Sequence, residues 1–209
     1  VADAAPGVKE ILSLGKLCYE VRERHYDLVI VDGVATGHVI AQLSAPDVIG
    51  ELIKVGPVRD QTRWMQEILE DHTRSGVVLV TTPEEMPVLE TAELIGRIDA
   101  ETGVDVAAVV ANRVLPELFG RAEEAVFEAL DADVPRSSLR AELGDGVSAV
   151  FDGARLAVAM RRGGAGHLKY LREHVPVGLE VVYVPELFSR STGLRSAGLI
   201  ADALGEELL

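Results

Sequence analysis

Four short, continuous apolar runs constrain how this chain can fold: Asp27–Asp32 (DLVIVD), Gly76–Thr82 (GVVLVTT), Val106–Asn112 (VAAVVAN) and Leu179–Val184 (LEVVYV). None alternates apolar with polar residues as a half-buried strand does, and each is shorter than a typical helix. Runs of this kind suit parallel strands covered by helices on both faces. The segments between them have helical spacing. Pro6–Arg24 sets Val8, Ile11, Leu12, Leu14 and Leu17 at such intervals, and Pro57–His72, Pro87–Glu101 and Pro116–Leu130 carry proline near each start. The alternation predicts an α/β three-layer αβα arrangement with a mostly parallel sheet. No repeat, low-complexity tract or linker divides it, so residues 1–209 read as a single domain. A lateral helical region over 136–175 is expected within it, broken near Gly144–Gly146.

Composition excludes several classes. Apolar residues make up 48% and charged residues 26%, as in globular proteins rather than disordered ones. Lys and Arg number 20 against 34 Asp and Glu, a formal charge of −14. That balance argues against nucleic acid as a partner. A single cysteine, Cys18, excludes an internal disulfide and any CxxC metal clip. On the first helix it reads as a small buried apolar residue. No run is long enough for a membrane span and no signal-peptide pattern opens the chain, so the expectation is a cytoplasmic protein without direct membrane insertion.

The strand ends carry the chemistry. In open α/β sheets ligands sit beyond the carboxyl ends of strands. There the sequence places Asp32-Gly33-Val34-Ala35-Thr36-Gly37-His38, then Thr82-Pro83-Glu84-Glu85, Asn112-Arg113 and Pro185-Glu186. An aspartate after a strand suits magnesium, which takes hard oxygen ligands. Asp also caps helices well, and that alternative stands beside the first. Asn112 offers both a donor and an acceptor, or bonds its own loop backbone. Glu84 and Glu90 suit a solvated helix start.

Together these segments resemble the ArsA-type ATPases, the anion-transporting and tail-anchored-protein-targeting family of P-loop NTPases in the SIMIBI class. YDLVIVDGVATGHVIAQLSAP is similar to the family's switch II region, TTPEEMPVLETAELI to its P-E-x-x-x-x-x-E-T-x-x-L stretch, VVANRVLP to its V-N-x-x-x-P element, and VVYVPEL to its late strand and adenine-side loop. The resemblance implies that Asp32 contributes to magnesium coordination, through water, and that Thr36, Gly37 and His38 move with nucleotide state. It implies that Asn112, with Pro185 and Glu186 in the late loop, lies on the adenine side. It further implies ATP or ADP with magnesium as cofactors, a nucleotide-bridged homodimer or a heterodimer with an ArsA-like partner, and a protein client or membrane-associated partner.

The departures are as informative. The switch reads D-G-V-A-T-G-H where the family has D-T-A-P-T-G-H, so Gly33 and Ala35 loosen a turn that proline usually stiffens. The spacing from Gly37 to Gly76 leaves no room for the apolar helical insertion of the targeting members, and Cys18 alone cannot make a soft metalloid site. Above all, the chain holds no G-x-x-x-x-G-K-[ST] phosphate loop. Gly163-Gly164-Ala165-Gly166-His167, after Arg161 and Arg162, lacks the lysine–hydroxyl pair and reads as a flexible connector between helices. Gly15-Lys16 lacks a following hydroxyl residue.

The chain therefore resembles the carboxyl-terminal two-thirds of such an ATPase, without the phosphate-loop strand. It is expected neither to bind ATP tightly nor to hydrolyse it alone. Three accounts are open: part of an ordinary ATPase, a pseudo-ATPase scaffold or regulator, or half of a site that another polypeptide completes. The first is favoured because the adenine-side residues survive together. Leu43, Val48, Ile49, Leu52, Ile53, Val55 and Val58, with Trp64 and Met65, form an apolar stretch after the switch; the buried face of two helices is preferred over a partner surface. A missing central strand leaves two outcomes: the remaining strands close up, or an exposed edge pairs with another chain.

Overall fold

Val77–Thr81 (β1), Val106–Val114 (β2) and Glu180–Pro185 (β3) pair in the order β1-β2-β3 in a computed structural model that describes residues 8–33, 36–188 and 193–208. The strands are rich in valine, which packs well on a pleated surface. They run parallel, as the helical crossovers between them require. Leu79 and Thr81 of β1, Val109 and Ala111 of β2, and Val182 and Val184 of β3 are buried, at alternate positions of each strand. Val78 and Val80 on the other face of β1 remain exposed.

The helices are α1 (Val8–Arg22), α2 (Thr36–Leu52), α3 (Pro57–Leu69), α4 (Glu85–Glu101), α5 (Arg121–Leu130), α6 (Asp133–Leu143), α7 (Gly146–His174) and α8 (Leu194–Leu208). Pro57 opens α3, where its missing N–H costs nothing. The break expected near Gly144–Gly146 is present: α6 ends at Leu143 and Gly144 takes φ 92°, a left-handed value that glycine adopts without strain. Helix α5 begins at Arg121, later than Pro116, with the Glu123 carboxylate accepting the Gly120 N–H at 2.9 Å.

The run Asp27–Asp32 is not a strand. Residues 28–33 have no hydrogen-bonded secondary structure, and the sheet consists of the other three runs. Apolar sequence gives a strand its propensity, but only a neighbour's N–H and C=O groups hold it in a sheet. Among the described residues no such neighbour lies alongside it. The other three runs form one continuous sheet, which the Asp27–Asp32 run does not join.

The chain divides into two units. The first comprises 1–79, 89–109 and 175–180; the second comprises 80–88, 110–174 and 181–209. In the first, α1, α2 and α3 pack against one another. Leu14, Cys18, Met65 and Ile68 form their core, with Trp64 and Leu69 against it. Burial pushes the Cys18 thiol up to about 11, in keeping with an inert packing role. Gly50 of α2 faces α3, where a Cβ would meet the movable Arg59 guanidinium and, at 3.4 Å, Thr62 Oγ1.

In the second unit α5 packs on α6, and α6 on α7. Rings of Phe119, Phe127 and Phe151 stack in series, with centroids 5.0 and 5.5 Å apart. Asp131 accepts from Arg136 at 3.0 Å and from Arg155, and Arg136 also reaches Asp152 at 2.8 Å. These bonds tie the end of α5 to α6 and α7. No described helix is long and apolar enough to cross a membrane.

Candidate functional site

A cavity of about 550 Å³ lies within the second unit, at the carboxyl ends of the strands. Each wall follows from local sequence. Thr82, Pro83, Glu84 and Glu85 form the turn from β1 into α4; Arg113 is near the end of β2 and Leu115 just after it; Glu186 and Phe188 follow β3. The last wall comes from α7, through Met160, Gly163, Gly164 and His167. The volume falls within the range of small-molecule sites.

Arg113 organises the mouth. It takes φ 61°, a left-handed value unusual for a residue with a Cβ. Its main-chain N–H donates to Asn112 Oδ1 at 2.9 Å, and its Nε donates to Glu186 Oε2 at 2.6 Å. The Glu186 N–H in turn donates to the Val114 carbonyl at 2.9 Å, so the ends of β2 and β3 are joined twice. The Glu186 carboxylate, and more weakly Glu84, raises the Arg113 guanidinium above its ordinary value. The charged lining thus holds three carboxylates, Glu84, Glu85 and Glu186, against one arginine that is already paired. Such a wall disfavours phosphate groups, whereas Leu115, Met160 and Phe188 offer apolar surface to a neutral planar ring.

The expected adenine-side residues fall in this unit, with adjustments. Glu186 lines the cavity. Pro185 is the last residue of β3 and is exposed. Asn112 is not a strand end, because β2 continues to Val114 through the paired ends just described. It is half-buried, directly precedes the lining residue Arg113, and bonds its own backbone as the local alternative foresaw. Sequence reading missed Arg113 as a wall and anchor residue; its position after Asn112 was visible, but its left-handed backbone was not.

The glycine-rich stretch differs more. Gly163–Gly166 lies inside α7, a continuous helix, rather than in a connector. A Cβ on Gly164 would come 3.3 Å from both Cβ and O of Pro83, so glycine lets α7 approach the β1–α4 turn closely. The contact explains why a costly helix-interior glycine occurs there.

The residues expected to form a switch belong to the first unit. Asp32 and Gly33 are exposed, and Asp32 has no hydrogen-bond or ion-pair partner among the described residues. Thr36, Gly37 and His38 form the first turn of α2 rather than a loop, with Gly37 and His38 exposed. Val34, Ala35 and the Thr36 side chain lie outside the described residues, as does Pro6, so the loosened turn at Ala35 has no structural counterpart here. One free carboxylate fits a magnesium ion held largely by water, yet no cluster of three or more candidate ligands exists among the described residues. A metal at Asp32 would need ligands from elsewhere, such as phosphate oxygens.

The apolar stretch after the switch is only partly buried. Met65 joins the core, but Val48, Leu52, Ile53, Val55 and Val58 are exposed. They occupy the end of α2, the connection and the start of α3, where the first unit does not cover them. The buried-face expectation therefore fails at these positions.

Comparison with known proteins gives a consistent result. The family model of the anion-transporting ATPases, ArsA_ATPase, matches residues 1–57 and 53–129. A putative arsenical pump-driving ATPase of Halobacterium salinarum is 29% identical over 93% of this chain and 28% of its own length. ATPase BagA of Mycobacterium tuberculosis is 30% identical over 66% of this chain and 42% of its own length. An ATPase ASNA1 homolog of Entamoeba dispar is 24% identical over 54% of this chain and 44% of its own length. The chain thus aligns with less than half the length of each of these relatives.

Proposed function

Since the chain belongs to the anion-transporting ATPase family, we propose that it supplies the adenine side and the nucleotide-responsive segment of an ATP-hydrolysing switch protein. The cavity within the second unit carries this reading. It lies where ligands of parallel sheets bind, it has the volume for a base, and its acidic mouth favours a neutral ring over phosphate. Asn112 does not line the cavity but directly precedes Arg113, which does; the Arg113 N–H holds its carboxamide oxygen, and the family resemblance is what puts its amide nitrogen on the adenine side.

In this reading the unpaired Asp32 carboxylate would hold magnesium through water, and the ion would supply charge neutralisation for the phosphates. Thr36, Gly37 and His38 open α2, so a shift of the preceding segment is transmitted to the helix. The groups that grip phosphates in NTPases, a phosphate-loop lysine and its backbone amides, are absent from the sequence. They must come from additional polypeptide, in the same protein or in a dimer partner. The whole protein is then a cytoplasmic ATPase that couples ATP binding and hydrolysis to dimer or client contact.

Phosphate release from magnesium-ATP tests this directly. The 209-residue chain is expected to show no turnover above buffer. A protein that also carries the phosphate loop is expected to turn over, and Asp32→Ala in it to remove the magnesium-dependent rate. Turnover by the short chain that Asp32→Ala abolishes would overturn the assignment, and would direct attention to Arg161, Arg162 and Gly163–Gly166. Inactivity of the longer protein would favour the second reading, a pseudo-ATPase scaffold. The exposed Val48, Leu52, Ile53, Val55 and Val58 are the observation behind that alternative.

A further inference from the structure

Two glycines of α7 line the cavity, and only one of them has a packing reason to be glycine. Gly164 lets the helix approach Pro83, which lies 3.3 Å from where its Cβ would be. Gly163 is exposed, lines the cavity, and would place a Cβ with nothing within 4 Å. Glycine is costly inside a helix, so an open position of this kind ordinarily suits alanine or leucine better. Among the α7 glycines, Gly163 alone joins open space at its Cβ to a place in the cavity wall.

Its neighbours define that space. Met160, Gly163 and His167 recur at intervals of three and four residues, so they share one face of α7. From Met160 to His167 this wall is about 10 Å long. Side chains stand at its two ends, and bare main chain lies between them. A flat ring system can rest there, with the polarisable Met160 sulfur suited to its edge. Leu115 and Phe188 add apolar surface to the lining. A long side chain at position 163 would lean toward the amino end of the helix, and so toward Met160, filling the gap. We propose that Gly163 is the size-determining residue of this cavity, its missing side chain admitting a fused two-ring aromatic group against α7. The inference rests on the base-binding reading only for naming that group a purine, and it assigns the preference for purine over pyrimidine to one position.

Titrations of the 15N-labelled 209-residue chain with adenosine, with cytidine and with indole, a two-ring compound without ribose, test it. Adenosine and indole are each expected to shift the amide resonances of Leu115, Met160 and Phe188, and adenosine to bind about fivefold or more tighter than cytidine. Gly163→Leu is expected to weaken both two-ring ligands about tenfold or more, and Gly163→Ala about threefold. Both variants are expected to raise the urea midpoint, since each removes a glycine from a helix interior. A purely structural role for Gly163 would not lower binding while raising stability. Gly153→Leu makes the same exchange at an α7 glycine that also has nothing within 4 Å but does not line the cavity, and is expected to leave the affinities unchanged. Indole binding that Gly163→Leu abolishes, with no adenosine binding to the parent, would keep the size assignment and reject the base reading. No binding of either two-ring ligand, affinities that neither Gly163 variant lowers, or cytidine bound as tightly as adenosine would each overturn the proposal.

Discussion

Gly164 and Gly166 are two residues apart on α7, yet their surroundings give opposite expectations for the same substitution. Glycine inside a helix costs about 0.5–1 kcal/mol relative to alanine, because the unfolded chain has more freedom to lose. A Cβ on Gly166 meets nothing within 4 Å, so Gly166→Ala is expected to stabilise the protein by roughly that amount. A Cβ on Gly164 meets Pro83 Cβ and O at 3.3 Å, tighter than ordinary contact. Gly164→Ala is expected to show none of the gain, and to perturb the cavity wall as α7 is pushed from the β1–α4 turn. Urea denaturation of both variants checks this; equal stabilisation would mean that the turn yields freely. The sequence displays these glycines but not the contact, so sequence alone predicts a connector there. Arg113 makes the same point, since no local pattern announces a left-handed backbone in an arginine.

Helix α1 ends in a small charge network, with Glu20 accepting from Lys16 and from His25 Nδ1, the latter at 2.7 Å. The hydrogen bond from Lys16, then that from His25, lowers the Glu20 carboxyl below its usual value. The same direction holds for Asp71 beside Thr73, Glu101 beside Arg97 and Asp152 beside Arg136. For such groups the unfolded chain binds more protons than the folded one between the two pKa values. Their stabilisation is complete above the unfolded carboxylate value, near about 4, and is lost as pH falls through the lower folded values. The urea midpoint is therefore expected to hold steady from neutral pH down to the ordinary carboxylate range and then to fall, with Glu20→Gln giving a shallower fall. A midpoint that rises on acidification would contradict the network. Elements were legible where sequence and neighbours agree: β1, β2 and β3 lie within a residue or two of their apolar runs, and Pro57 marks α3. The run at Asp27–Asp32 has the same composition and fails, because pairing is a property of two segments and sequence reading sees one. Of the site, Glu186 and the β1–α4 turn were visible as strand-end polar groups. The α7 wall was not, since a long helix reaches the strand ends only through tertiary packing.

At the level of the whole chain, the proposed function divides the labour: a base-binding cavity in these residues, and phosphate-binding groups supplied from outside them. A titration of 15N-labelled protein with adenosine and, separately, with ATP tests that division most directly. Adenosine carries the base without phosphate, so the account predicts shifts in the amide resonances of Leu115, Met160, Glu186 and Phe188. ATP is predicted to shift the same resonances with no greater affinity, because Glu84, Glu85 and Glu186 face the site and its one lining arginine is paired. No shift with either ligand, or ATP binding far more tightly than adenosine, would contradict it.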